Sequence, residues 1–209
     1  MALFYLVRHG ETVWNQERRL QGQTDIPLSE EGRDQARKVA ARLASIRFDD
    51  AFSSTLSRAA DTANLIVEAS AAPLSLRFHD ELREASDGIF EGLSVSEAAE
   101  RDPRLVDRTG NDGPAPDFAP PQGESIREFY ERQRGVASNL LGQFVGAEQV
   151  LVVGHGWVFR ALAAAMLDLG VKEFWKLRSP QPASVSIIET AEGRAAIRTW
   201  GDDAHLVSG

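Results

Sequence analysis

Two short, almost wholly apolar runs, Ala2 to Val7 and Gln149 to Val153, each break off into a turn carrying a histidine followed by a glycine. The first turn reads Arg8-His9-Gly10 and the second Gly154-His155-Gly156. Apolar runs of this length without alternation suit strands covered on both faces, and such strands belong to parallel sheets held between helices. The intervening sequence supplies the helices. Ser29 can cap a helix with Glu30 and Glu31 in its first turn, and Ala36, Val39, Ala40 and Leu43 then recur at helical spacing. Ala51 to Ser53 reads as a strand, and Leu56, Ala60, Ala63 and Val67 continue it as one face of an amphipathic helix. Leu74 to Phe78 reads as a third strand, Glu81 to Gly92 as an irregular loop, and Ser94 to Arg101 as a short helix. Glu124 to Phe144 is helical through Ile126, Phe129, Val136 and Leu140, and Val158 to Leu167 is a strongly apolar helix. Ala183 to Gly201 reads as two strands about a Glu192-Gly193 turn. The alternation predicts an α/β fold: three layers, a doubly wound, mostly parallel sheet with helices on both faces. Ligands of such sheets bind beyond the carboxyl ends of the strands, where both histidines lie.

With 209 residues, 43% of them hydrophobic, the chain can bury one continuous core, and a single domain over residues 1–209 is expected. Its formal net charge of −8 argues against a nucleic-acid or membrane-surface partner, since either calls for a basic face. Cysteine is absent, which excludes a disulfide framework, thiolate catalysis and cysteine-based metal sites. Imidazole and carboxylate must carry any chemistry. The apolar opening is interrupted at Arg8, shorter than the roughly 7–15 residues of a signal-peptide core, and no run reaches the ~18 residues of a membrane span. The expectation is a cytoplasmic protein.

A histidine and glycine at one strand end are usually just a turn. Two such turns on one sheet can face one ligand, and the second opens a helix whose free amide groups favour an anion. A glycine at each lets backbone come close to a reacting group or adopt a positive φ.

Further motifs occur in order. LVRHGET spans Leu6 to Thr12, followed by Trp14, Asn15, Gln21 and Gly22, then by DIPLSEEG from Asp25 to Gly32. SSTLSRAADTA spans Ser53 to Ala63, LRE Leu82 to Glu84, FEG Phe90 to Gly92, GES Gly123 to Ser125 and VVGHGWVFRAL Val152 to Leu162. In this set the chain resembles the histidine phosphatase superfamily, in its branch similar to cofactor-dependent phosphoglycerate mutases. The resemblance implies the phosphoglycerate mutase-like fold. It also implies His9 as the nucleophile that carries the phosphoryl group, Arg8, Arg58 and His155 as the phosphate clamp, and Glu84 as the proton donor. Asn15, Gln21, Gly22 and Gly156 stand where relatives touch phosphate or substrate. Neither a metal nor a cofactor is implied.

These roles fit the chemistry. Phosphoryl transfer spreads charge over three equatorial oxygens, so donors already aimed at them do most of the work. Guanidinium groups beside His9 should depress its pKa and keep an unprotonated nitrogen, while His155 should act as a charged or hydrogen-donating partner of the phosphate. Glu81, Asp87 and Glu91 share the acidic loop with Glu84 and are alternative donors, although solvated loop charge is the preferred reading for Glu81 and Glu91. Glu11 and Thr12 are expected to order the turn and Trp14 to pack. His79 and His205 are read as ordinary surface or loop residues, and Arg18, Arg19 and Arg160 as solvated helix or loop faces.

Among activities, hydrolysis of a small phosphomonoester is favoured over mutase activity. Ala85, Ser86 and Asp87 follow Glu84 where mutases carry an aromatic and basic cluster. The segment from Pro103 to Gly123, expected as an exposed lid rich in proline and glycine, holds only Arg104 and Arg108 as cations. Asp87 is expected to repel a second anionic group. A phosphoglycerate mutase and a non-catalytic phospholigand-binding module are the alternatives. The expected partner is a small phosphorylated metabolite, with no nucleic acid and no membrane, and a homo-oligomer is left open.

Overall fold

The computed structural model describes residues 1–108 and 115–207. Its sheet contains β1 (Ala2–Arg8), β2 (Asp50–Ser54), β3 (Leu76–His79), β4 (Gln149–Gly154), β5 (Val185–Ala191) and β6 (Arg194–Asp202), in the spatial order β3-β2-β4-β1-β5-β6. The first four run parallel, and β5 and β6 add an antiparallel edge. The apolar runs that opened the sequence are neighbours at the centre, paired so that Arg8 lies opposite Gly154. The turns that follow therefore leave the sheet side by side at one edge.

Helices α1 (Val13–Gln16), α2 (Glu30–Leu43), α3 (Ser57–Glu68), α4 (Val95–Arg101), α5 (Ile126–Gln143) and α6 (Gly156–Met166) complete the regular elements among the described residues. Strand alternation divides the core in two. Phe4, Leu6, Val150 and Val152 pack with Phe129 and Leu140 of α5 and with Phe159 and Leu162 of α6. Tyr5, Val7, Leu151 and Val153 pack with Val39 and Leu43 of α2 and with Ala59 and Ile66 of α3. Full burial of one such side chain contributes about 1.5–3 kcal/mol, so the sheet is clamped from both faces. The expected three-layer, mostly parallel architecture is what forms. Ser29 caps α2 by accepting the Gly32 N–H, a contact that contributes about 1 kcal/mol.

Three local departures have physical causes. Helix α6 starts at Gly156, two residues before the expected start at Val158, because His155 itself occupies the N-cap position. The loop Glu81 to Gly92 contains two 3₁₀ turns, Asp80–Leu82 and Gly88–Phe90. Most informative is α3, whose inward face is turned from the expected one: Arg58, Ala59, Thr62, Ala63 and Ile66 are buried, whereas Ala60 and Val67 are only partly so. Two polar residues face the interior there, and apolar periodicity cannot reveal them.

Of the segment expected as a lid, residues 109–114 lie outside the described residues. The described remainder is docked on neighbouring structure. Leu105 packs with Phe90 and Ala98, and Phe118 lies against them. Pro121 O accepts the Ile89 N–H, and Ser86 O accepts the Glu124 N–H. Among the described residues no helix is long and apolar enough to cross a membrane.

Candidate active site

At the shared edge of β1 and β4 the rings of His9 and His155 stand 5.1 Å apart, centroid to centroid, both buried. His9 Nδ1 is 2.7 Å from Gly10 O. A carbonyl only accepts, so Nδ1 carries the proton and Nε2 keeps its lone pair. Burial, then Arg58 and Arg8, hold the His9 pKa well below its ordinary value, against the opposing pull of the Gly10 carbonyl. The ring is neutral, with a fixed tautomer and a lone pair on Nε2.

His155 is arranged the other way round. Its Nε2 lies 2.9 Å from Ser54 Oγ, and its buried Nδ1 has no hydrogen-bond partner. Burial is again the main cause of a strongly lowered pKa, followed by Arg58, His9 and Arg8. A neutral ring that accepts the Ser54 hydroxyl proton presents Nδ1–H as a donor. Hydrogen donation, one of the two roles expected for His155, fits this environment.

Two arginines flank the pair. Arg58 donates through Nη1 to Thr24 O and through Nη2 to Gly22 O, each at 2.9 Å, and Arg8 donates through Nη1 to Pro180 O at 2.7 Å. Burial lowers the Arg58 pKa to about 10, which leaves it charged at neutral pH. The Nε atoms of Arg8 and Arg58 are buried and unpartnered, like His155 Nδ1. A buried donor without an acceptor costs about 1–3 kcal/mol. Arg8 Nε, Arg58 Nε and a protonated His155 Nδ1 supply the number of donors that the equatorial oxygens of a tetrahedral oxyanion call for.

Glu84 faces the same cavity. Its carboxylate accepts the Ala85 N–H at 3.0 Å and, at 3.1 Å, the Trp157 N–H from the first turn of α6. Burial raises its pKa, and those two amide bonds, with Arg8 and Arg58 behind them, only partly offset the rise. A carboxyl with a raised pKa is what proton transfer to a leaving group calls for. Arg132 holds the backbone of this segment, donating to Arg83 O at 2.8 Å and to Glu124 at 2.7 Å while also reaching the carbonyls of Glu81 and Glu84.

A cavity of about 170 Å³ joins these groups, lined by Arg8, His9, Arg58, Glu84, Gly156 and Trp157, with Asn15, Gln21 and Gly22 on its wall. Asn15 Oδ1 accepts the Thr12 N–H, and the Thr12 hydroxyl lies 3.0 Å from both Asn15 Oδ1 and Gln21 Oε1. With both amide oxygens engaged, what Asn15 and Gln21 can offer an anion is N–H. Gly22 has φ +48°, and a Cβ on it would run into the Glu91 carboxylate. At Gly156 a Cβ would come within 2.5 Å of Ser179 Oγ and 3.4 Å of Arg8 Cζ, so glycine lets the start of α6 lie against the arginine. Every expected site residue thus lines one cavity or touches its lining.

Some expectations outside that set are overturned. Glu91 is not solvated loop charge: it accepts N–H bonds from Gln23 at 3.0 Å, Thr24 at 2.9 Å and Asp87 at 3.1 Å, and so ties the segment bearing Gly22 to the acidic loop. Arg160 is buried, not on a solvated face, because α6 is enclosed on nearly all sides. It donates to Trp175 O at 2.7 Å and lies 4.6 Å from the Trp175 ring centre. His205 is held by two ring bonds. Glu81 is exposed, as expected. Ser54, Thr62, Trp157 and Pro180 were missed. Ser54 and Thr62 lie within the SSTLSRAADTA motif that supplied Arg58, whereas Pro180 acts through a carbonyl and leaves no sequence signal. Among the described residues no group of three or more His, Asp or Glu side chains is placed to hold a metal ion.

The family model described as histidine phosphatase superfamily (branch 1) matches residues 4–203. The chain belongs to that superfamily. A protein of Salmonella arizonae named "Probable phosphoglycerate mutase GpmB" is 34% identical over 215 residues, covering 99% of this chain and 95% of its own. Among solved structures, Bacillus stearothermophilus YhfR superposes with a TM-score of 0.86 at 33% identity, covering 99% of this chain and all of its own. The mycobacterial glucosyl-3-phosphoglycerate phosphatase Rv2419c superposes with a TM-score of 0.84 at 31% identity, covering 96% of this chain and 98% of its own. This member of the superfamily is thus similar over nearly its full length both to a protein named as a mutase and to one named as a phosphatase.

Proposed function

We propose that this histidine phosphatase hydrolyses small phosphomonoesters in two steps through a phosphohistidine on His9, without a metal. The supporting observation is the pairing at the centre of the cavity: a His9 ring whose tautomer leaves Nε2 free, beside three buried donors without partners. In the first step Nε2 attacks phosphorus and the bond from phosphorus to the ester oxygen breaks. Arg8, Arg58 and the Nδ1–H of His155 take the equatorial oxygens, and Glu84 gives its proton to the departing alkoxide. In the second step Glu84, now ionised, removes a proton from water as its oxygen attacks phosphorus. The bond to His9 breaks, inorganic phosphate leaves and Glu84 is again protonated.

Glucosyl-3-phosphoglycerate phosphatase activity in a structural relative supports hydrolysis. Mutase activity is the second reading, favoured by the name of the Salmonella relative. A mutase must hold a second anionic group while shielding phosphohistidine from water. Among the described cations on the cavity wall, only Arg19 stands apart from the clamp, and its side chain is bound to Glu17 and to Gly92 O. The same reading takes the enzyme to be cytoplasmic and its partner to be a diffusible phosphorylated metabolite rather than nucleic acid or a membrane surface, supported by the formal net charge of −8.

The test is an incubation in chelator with a panel of alkyl and aryl phosphomonoesters and with 3-phosphoglycerate, following released phosphate and isomerised product together. Release without isomerisation is the expected result. Isomerisation with little release would establish the mutase instead, and neither activity would leave a phospholigand-binding module.

A further inference from the structure

Beyond the clamp, the Arg8–His9 turn is held by one buried residue in an unusual conformation. Ala183 has φ +54°, the left-handed region that a side chain with a Cβ rarely adopts. Of the described non-glycine residues with positive φ it alone is buried. Its N–H lies 3.1 Å from both Arg8 O and His9 O. The same segment contributes Pro180 O to the Arg8 guanidinium and Ser184 O to the Arg8 N–H. A left-handed residue at this point turns the chain so that all these groups wrap Arg8. Strain of this kind persists only where the surroundings enforce it.

A further contact lies on the far side of Ala183. His205 Nε2 is 3.0 Å from Ala183 O, and its Nδ1 is 2.9 Å from Arg42 Nη1. The carbonyl can only accept and the guanidinium can only donate, so the ring is neutral, with its proton on Nε2. Burial, then Arg42, hold its pKa below the ordinary value, consistent with that tautomer. Arg42 is itself fixed from α2 by Asp202 at the end of β6. A chain of bonds therefore runs from α2 through the His205 ring and the Ala183 peptides to the carbonyls of the two residues that bind and attack phosphate.

We propose that His205 is a positioning residue for the reaction, which holds Ala183 in its left-handed conformation and thereby sets the Arg8–His9 turn. The proposal rests on the reading of His9 as nucleophile. A misplacement of about 1 Å at a reacting group can cost on the order of 100-fold in rate, so a contact at this distance has leverage. Arg58 and His155 stand on other elements, so substrate affinity should suffer less than turnover.

The experiment compares wild type, His205→Ala and His205→Gln. Glutamine can donate to Ala183 O through Nε2 and accept from Arg42 through Oε1, whereas alanine can do neither. With an aryl phosphate, His205→Ala is expected to lose at least roughly tenfold in kcat with KM within about threefold, and His205→Gln to recover most of the loss. In parallel, the His9 Nδ1–H···O=C bond is followed by imidazole NMR, which needs no turnover. That signal should broaden or shift in the alanine variant and stay in place in the glutamine variant. Should alanine prevent folding, His205→Leu, which fills space without either ring bond, takes its place. Wild-type kcat and an unmoved His9 signal in the folded alanine or leucine variant would overturn the proposal, as would a glutamine variant as impaired as alanine. A wild-type protein that turns over no ester would count against the phosphatase reading alone, since the NMR arm would still report on His205.

Discussion

His9 and His155 are 146 positions apart in the chain, yet their rings approach to 5.1 Å and engage different partners, Gly10 O at Nδ1 of His9 and Ser54 Oγ at Nε2 of His155. The difference comes from one neighbour each. Gly10 O fixes the proton of the first ring on Nδ1, and Ser54 occupies Nε2 of the second. The nitrogen proposed to attack phosphorus thus keeps its lone pair before any ligand arrives.

Glu84 should matter in proportion to the basicity of the leaving group. Its raised pKa and its place beside Trp157 N–H suit a general acid, which contributes about 10²–10⁴-fold where an alkoxide must depart. Glu84→Gln is expected to slow alkyl phosphates by that order and an aryl ester far less, with steady-state rates across a series of leaving groups as the measurement. Loss of rate with rising pH on alkyl substrates should also vanish in this variant. Equal slowing of all esters would assign the acid elsewhere.

The buried histidines make stability depend on pH with a definite sign. Both folded-state pKa values lie well below the unfolded value near 6.5, so the unfolded chain takes up protons that the folded protein refuses. Their contribution is complete above about pH 6.5 and is lost as the pH falls toward the folded values, by up to about 1.4 kcal/mol per pH unit for each ring. Glu84, with its raised pKa, acts in the opposite sense and is common to every variant compared. Urea midpoints taken from pH 7.5 to 5.5 should fall in wild type and fall less steeply in His155→Asn. Parallel slopes would contradict neutral burial of His155.

Thr62 offers a test of the polar inner face of α3. Its hydroxyl accepts the Gly10 N–H at 3.1 Å and donates to Arg58 O at 2.8 Å, linking the nucleophile's turn to the helix that carries the second arginine. Thr62→Val keeps the shape and strands a buried amide, at a cost of about 1–3 kcal/mol. Thermal unfolding should register that loss together with a fall in kcat. A fully stable, fully active Thr62→Val protein would show that the turn is held by other contacts.

The central strands, the cap at Ser29 and the two histidine turns were legible in the sequence because each is written in local chemistry: apolar runs, a hydroxyl before acidic residues, glycine after histidine. Residues that serve the site from a distance were not. Thr62 faces inward from α3 beside Arg58, which the resemblance had picked out, whereas the apolar period pointed to Ala60 and Val67. Glu91 looked like loop charge because its partners are backbone amides of Gln23, Thr24 and Asp87, which no side-chain pattern records. His205 and Pro180 belong to the same class, since one binds a carbonyl and the other is one.

The central claim, covalent phosphoryl transfer to Nε2 of His9, is open to one direct measurement. The enzyme is mixed rapidly with a phosphomonoester, quenched in alkali, under which a phosphorus–nitrogen bond on imidazole survives, and analysed by peptide mass spectrometry. A phosphoryl group on the His9 peptide of wild type, absent from His9→Ala, which should also lose turnover, is the predicted result. Full turnover by His9→Ala, or labelling of any other residue in its place, would contradict the mechanism.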